Sequence, residues 1–237
     1  MNLDLSGKAA LVCGSTQGIG LAAAQELAEM GASVTLIARN EEKLKTAVAT
    51  LSKQGSASHQ YLVADFNAPD NLKKVIEAHI SEVNLYNILV NNSGGPAGGQ
   101  AIDAELDEFR IAFNQHVVCN QVLAQALTPG MKQLGYGRIV NVISTSVKIP
   151  LNGLGVSNTI RGAVANWSKT LANELGQFGI TVNNVLPGAT GTERLSEIIK
   201  NKSSKTGISV EDASNAMMNA VPAKRFAKPE EIASAIT

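Results

Sequence analysis

Apolar runs of strand length alternate with helix-period patterns from one end of this chain to the other, and few folds accept such a pattern. The runs lie at Lys8–Cys13, Ser33–Ala38, His59–Ala64, Asn87–Val90, Arg138–Ile143 and Ile180–Leu186. Helical patterns fall between them at 19–30, 41–53, 69–82, 105–134 and 155–177. Runs that are apolar throughout, rather than at every second residue, need cover on both faces. A parallel sheet with helices on both sides supplies that cover. Right-handed crossovers then predict an α/β fold, a doubly wound parallel sheet, as a single domain over residues 1–237. Residues 193–222 break the pattern: they are polar and read as a mobile insertion in that domain. Pro229-Glu230-Glu231-Ile232 marks a further helix start, and so few residues follow that another segment is expected beyond Thr237.

Composition removes several functions. Hydrophobic residues make up 44% of the 237 residues, enough for a core, whereas aromatics are only 4%. Lys+Arg and Asp+Glu are 20 each, so the chain has no net charge with which to attract nucleic acid or an anionic membrane. Two cysteines far apart in apolar context, Cys13 and Cys119, exclude a disulfide scaffold and a cysteine-based metal site, and they fit a reducing compartment. With no apolar run near ~20 residues and no export signal, a cytoplasmic protein without a metal is expected.

Gly14-Ser15-Thr16-Gln17-Gly18-Ile19-Gly20 follows the first strand and opens the first helix. Glycines there allow the backbone to approach a diphosphate, which the free N–H groups and dipole of a helix N-terminus stabilise. Gly14, Ser15, Gln17, Gly18, Ile19 and Gly20 are therefore candidate nucleotide-binding residues. A glycine-rich turn without a ligand is the bland alternative.

The spacing of that loop, G-x3-G-x-G, resembles the short-chain dehydrogenase/reductase family, a Rossmann-type fold, and the likeness runs the whole chain. Asn91-Asn92-Ser93-Gly94 is similar to the family's Asn-Asn-Ala-Gly, which places Asn92 and Gly94 at the adenine side of the site. Pro187-Gly188, followed by Thr192, is similar to the stretch that meets nicotinamide and diphosphate. Val221-Pro222-Ala223-Lys224-Arg225-Phe226 with Pro229-Glu230-Glu231-Ile232-Ala233 resembles the approach to the last helix of β-ketoacyl-carrier-protein reductases. The resemblance implies a seventh strand after that helix. It also implies a homodimer or homotetramer built on the helices of 105–134 and 155–177.

Cofactor choice follows from charge. A carboxylate after the second strand would bond a ribose 2′-hydroxyl, but Ala38 and Arg39 stand there. A guanidinium pairs with a 2′-phosphate through two hydrogen bonds, so NADP(H) is favoured over NAD(H) unless Arg39 is only a solvated surface residue. Asp65-Phe66 after the third strand resembles the family's aspartate at the adenine amino group, and a plain helix N-cap explains Asp65 nearly as well.

At the catalytic positions the chain departs from the family, whose members use Asn, Ser, Tyr and, four residues later, Lys. Counted without gaps, these fall on His116, Ser144, Ser157 and Arg161. Asn114 replaces His116 as the candidate if that helix is shifted. A serine hydroxyl is a far weaker acid than a phenol, so Ser157 can donate a hydrogen bond but is a poor proton source. Arg161 stays charged: it can hold ribose hydroxyls or steady an oxyanion but not relay a proton. His116 has the one side chain there whose ordinary pKa suits proton transfer near neutrality, unless it is a half-buried helix histidine bonded to a carbonyl. Tyr61, Tyr86 and Tyr136 fall at the wrong places to replace the missing phenol.

The expected activity is an NAD(P)(H)-dependent oxidoreductase acting on a small-molecule or acyl-carrier-bound carbonyl. Ser144 and Ser157 would polarise the carbonyl and Arg161 would fix the ribose. His116 or water would supply the proton. A nucleotide-binding protein with little turnover, and hydration or dehydration in the same pocket, remain open beside it.

Overall fold

The computed structural model describes residues 2–80 and 85–237. Six strands, β1 (Ala9–Cys13), β2 (Ser33–Ala38), β3 (Gln60–Val63), β4 (Ile88–Asn91), β5 (Gly137–Val142) and β6 (Ile180–Val185), form one sheet in the order β3-β2-β1-β4-β5-β6. Every pairing is parallel. The expected doubly wound α/β sheet is therefore present, and each strand lies where its apolar run predicts.

Both faces of the sheet are covered, as the unbroken apolar runs require. Ala10 and Val12 of β1, Val34 and Leu36 of β2, and Ile88 and Val90 of β4 pack under α1 (Gly18–Glu29), α2 (Glu41–Ala49) and α9 (Pro229–Ile236). Their neighbours Leu11, Cys13, Ile37, Leu89 and Ile139 pack on the opposite face. There they meet α3 (Pro69–His79), α5 (Cys119–Gln133) and α6 (Gly155–Leu175). The helix expected over 69–82 runs to His79, and positions 81–82 lie outside the described residues.

One expected helix is revised, and two helices are added to it. The single helix expected over 105–134 is α4 (Leu106–Phe113), a π-helical turn (Asn114–Val118) and α5 in succession. Residues 193–222, read as a mobile insertion with no helix assigned, hold α7 (Glu193–Thr206) and α8 (Val210–Ala220). These two pack on each other through Leu195, Ile199, Ala213 and Met217, with Phe226 beside them. Their start signals are in the sequence. Thr192 Oγ1 accepts from Leu195 N at 3.4 Å, and Ser209 Oγ accepts from Asp212 N at 3.0 Å. Hydroxyls at N-caps, the second followed three residues on by an acid, mark helices even in polar sequence. Among the described residues no helix is long and apolar enough to cross a membrane.

Candidate active site

The strand order reverses between β1 and β4, and in an open α/β sheet ligands bind outside the carboxyl ends of the strands at that reversal. The glycine loop leaves β1 there, Ser93 and Gly94 leave β4, Ser144 follows β5, and Pro187-Gly188 follows β6.

The glycine loop is shaped by contacts that exclude side chains. Gly14 has φ +56°, and a Cβ on it would lie 2.5 Å from the Asn92 carbonyl oxygen. A Cβ on Gly20 would lie 2.3 Å from Gly14 O. Asn92 Nδ2 braces the turn by donating to Cys13 O and Gly14 O, each at 3.2 Å. Gln17, the N-cap of α1, makes no capping bond, and its amide instead donates to Glu193 at 2.5 Å. The first N–H groups of α1 are thus left without a side-chain cap, behind a backbone that a phosphate can approach. Thr192 approaches from the β6 side, its Cγ2 3.2 Å from where a Gly18 Cβ would sit. These features suit a nucleotide diphosphate.

Three of the candidates in this region turn their side chains away. Ser15 is fully buried and its hydroxyl accepts from Ile37 N at 3.1 Å, tying the loop to β2. Ile19 packs against one core and Phe66 lies in the other. Ser15 and Phe66 offer a ligand only their backbones, whereas Ile19 is half-buried. Asp65 does not cap a helix: its carboxylate accepts from Asn67 N and Asn67 Nδ2, both at 2.9 Å, while α3 starts after Ala68. Arg39 stands exposed just after β2, beside the Asn40 cap of α2, and forms no ion pair among the described residues.

Ser144 sits in extended backbone after β5, and its hydroxyl accepts from Ser146 N at 3.0 Å. Ser157 lies on the first turn of α6, and Arg161 is one turn further on the same face. Arg161 is buried, 9% exposed, and its Nη1 donates to Val142 O at 2.9 Å, which fixes α6 against the end of β5. Burial, then the nearby charge of Arg194, pull its pKa down to about 10, so it remains a cation at neutral pH.

His116 requires the largest correction. It lies in the π-helical turn, a feature frequently found at functional sites, and the turn directs it inward while Asn114 is exposed. The ring is 1% exposed, not half-buried. Nδ1 lies 2.8 Å from Ser93 Oγ, and Nε2 is buried with no hydrogen-bond partner. Burial above all, and then the charge of Arg161, push its pKa down to about 3. The ring is therefore neutral near pH ~7, which does not suit an imidazolium donor titrating near ~6.5.

The three tyrosines make their contacts elsewhere. The Tyr61 hydroxyl donates to Glu41, Tyr86 is buried against Thr35 and His79, and Tyr136 lies between Lys8 and Arg138.

Sequence reasoning missed Arg194, because it stands in the stretch read as an insertion. It lies in the first turn of α7, its Nη2 donates to Pro96 O in the loop after β4, and Lys205 of the same helix donates to Gly98 O at 3.1 Å. A buried polar ladder was missed as well. Asn91 Nδ2 donates to Asn141 Oδ1 at 2.8 Å, and Asn141 Nδ2 donates to Ser168 Oγ at 2.9 Å. Ser168 Oγ lies 2.7 Å from Asn184 Oδ1. Polar residues inside otherwise apolar runs, Asn141 and Asn184 among them, were the available signal.

The model of the short chain dehydrogenase family matches residues 8–203. The chain belongs to that family. It is 30% identical to the 3-oxoacyl-[acyl-carrier-protein] reductase FabG of Vibrio cholerae over 236 residues, 99% of this chain and 90% of that protein. It superposes on L-sorbose reductase from Gluconobacter frateurii, complexed with NADPH and L-sorbose, at TM-score 0.90 and 30% identity, covering 99% of this chain and 90% of that one. An NAD+-bound xylitol dehydrogenase gives TM-score 0.89 at 26% identity, covering 98% and 91%.

Proposed function

We propose that this chain is an NADP(H)-dependent carbonyl reductase or alcohol dehydrogenase whose proton comes from water. The observation that carries the reading is the glycine cradle at the β1 carboxyl end, with Ser144 and the buried cation of Arg161 beside it at the end of β5. The family and the NADPH-bound L-sorbose reductase support the redox class. Unpaired Arg39 supports the phosphorylated cofactor.

Gly14, Gly18 and Gly20 with the start of α1 would hold the diphosphate, Arg39 the 2′-phosphate, and Thr192 would close over them. Asp65, Asn92 and Gly94 would border the adenine side, and Pro187 and Gly188 the nicotinamide. Bound there, the cofactor supplies the hydride. Ser144 and Ser157 donate hydrogen bonds to the carbonyl oxygen as charge grows on it, and Arg161 stabilises that charge without giving up a proton. Because His116 is neutral, its part is to fix the β4 loop through Ser93. The proton reaches the alkoxide from solvent.

A second reading, binding with little turnover, is favoured by one observation: neither Ser157 nor Arg161 is an acid suited to this step. As in other family members, a homodimer or homotetramer is the expected assembly. Exposed Leu106, Ile111 and Phe113 on α4 support it.

Nicotinamide fluorescence titration with NADPH and NADH tests the cofactor half of the proposal. Saturable binding with tighter affinity for NADPH is expected. Failure of both cofactors to bind would overturn it.

A further inference from the structure

Two guanidinium groups converge on one side of Gly95 with no acid between them. A Cβ on Gly95 would lie 3.5 Å from Nε and Nη2 of Arg194 and 3.6 Å from Nη2 of Arg161. Donors of both arginines therefore reach the same point beside the loop after β4, where glycine carries no side chain. Among the described residues Arg161 makes no ion pair and one hydrogen bond, to the Val142 carbonyl. Arg194 reaches a carboxylate through Nη1 only, 3.6 Å from Glu197 on the solvent side. Such a half-exposed pair is weak, and it leaves Nε free. Glu193, the other acid nearby in sequence, is turned away to Gln17. His116, buried within electrostatic reach of both guanidinia, adds no negative charge.

Holding two cations together, one of them buried, costs free energy that a protein does not normally leave uncompensated. The cofactor's own phosphates are accounted for at the glycine loop and Arg39. We propose that the carbonyl substrate carries a carboxylate, which Arg194 and Arg161 bind beside Gly95, so that the substrates are oxo acids or hydroxy acids rather than neutral ketones or sugars. This rests on the reading of the site as a carbonyl-reducing pocket. A planar carboxylate accepts two parallel bonds from a guanidinium edge, and Nε of Arg194 forms such an edge with the Nη2 hydrogen that the Pro96 carbonyl does not take.

The test uses the NADPH-loaded protein, so NADPH binding itself reports separately on the underlying reading. 2-Oxobutanoate, acetoacetate and levulinate, which place the carboxylate at increasing distance from the carbonyl, are each titrated beside their methyl esters. Thermal stabilisation and quenching of bound-NADPH fluorescence are recorded. At least one acid should bind tenfold or more tightly than its ester, the effect of one charge-assisted pair. Arg194→Gln should remove most of that advantage while leaving NADPH affinity in place. Gly95→Asp, which puts a carboxylate of the chain itself beside both guanidinia, should remove it too. Acids no tighter than esters, or no response to any acid with NADPH bound, would overturn the proposal. A fall in NADPH affinity in Arg194→Gln would do so as well, by assigning Arg194 to the cofactor diphosphate.

Discussion

Two arginines outside the glycine loop are assigned opposite tasks by their surroundings. Arg39 is exposed and unpaired after β2, so its charge is available to an incoming phosphate. Arg161 is buried and fixed by Val142, so its charge belongs to the pocket whether or not a ligand is bound. Arg39→Ala should erase the preference for NADPH, a change of ~tenfold or more, and leave NADH affinity nearly unchanged. A preference that survives the substitution would make Arg39 a surface residue. His116 makes a prediction through stability. Its folded pKa is depressed, so the unfolded chain takes up a proton below ~6.5 that the folded chain refuses down to about 3. Its contribution is full above the unfolded pKa and is lost as pH falls through the window between them, with a slope of at most ~1.4 kcal/mol per pH unit. His116→Asn, which removes the titrating ring, should flatten the fall in Tm between pH 6.5 and 5. Activity should show no histidine titration from pH 5.5 to 8 in either protein. A wild-type rate that falls through ~6.5 would return His116 to the role of proton donor.

At the scale of elements, strands and the first helices were legible because periodicity and turn chemistry are local. β1, the glycine loop and α1 could be placed from Lys8 to Met30 alone, since a doubly covered strand cannot alternate and a diphosphate loop cannot carry side chains. α7 and α8 were obscured by their polarity: their buried faces amount to Leu195, Ile199 and Ala213, too few to mark a helical period. The π-helical turn was illegible for another reason. One extra residue in a turn leaves composition unchanged and shows only in which way His116 points. The pairing of Arg194 with the β4 loop was beyond reach, because it joins residues 98 positions apart. Candidate catalytic positions could be counted in sequence from the family resemblance, but the neutrality of His116 depends on burial that only the fold supplies. The glycine loop gives a prediction at this scale. Gly20→Ala would put a methyl 2.3 Å from Gly14 O and 2.6 Å from Asn92 Nδ2, so the cradle must open. Loss of NADPH affinity together with ~1–3 kcal/mol of stability is expected by titration and denaturant unfolding. Unchanged affinity would show that the cradle does not hold the cofactor.

Over the whole molecule, two apolar cores clamp the sheet, and the ladder from Asn91 through Asn141 and Ser168 to Asn184 ties β4, β5 and β6 to α6. The ladder runs just behind the strand ends that carry Ser93 and Ser144, so the site stands on a rigid support while α7 covers it from outside. A ligand that binds only the folded chain should stabilise it, by ~2.7 kcal/mol at one hundred times its Kd, and NADPH is expected to raise Tm accordingly. Binding alone does not separate an enzyme from a sensor. The decisive measurement is NADPH oxidation with alcohol product identified, using a carbonyl panel that includes oxo acids, for the wild-type chain and for Ser157→Tyr with Arg161→Lys. Measurable reduction by the wild type is predicted. On at least one neutral ketone the double variant should gain up to ~10²–10⁴ in rate, because it regains a phenolic acid. Tight NADPH binding with no hydride transfer from either protein to any substrate would contradict the account and leave a nucleotide-binding protein in its place.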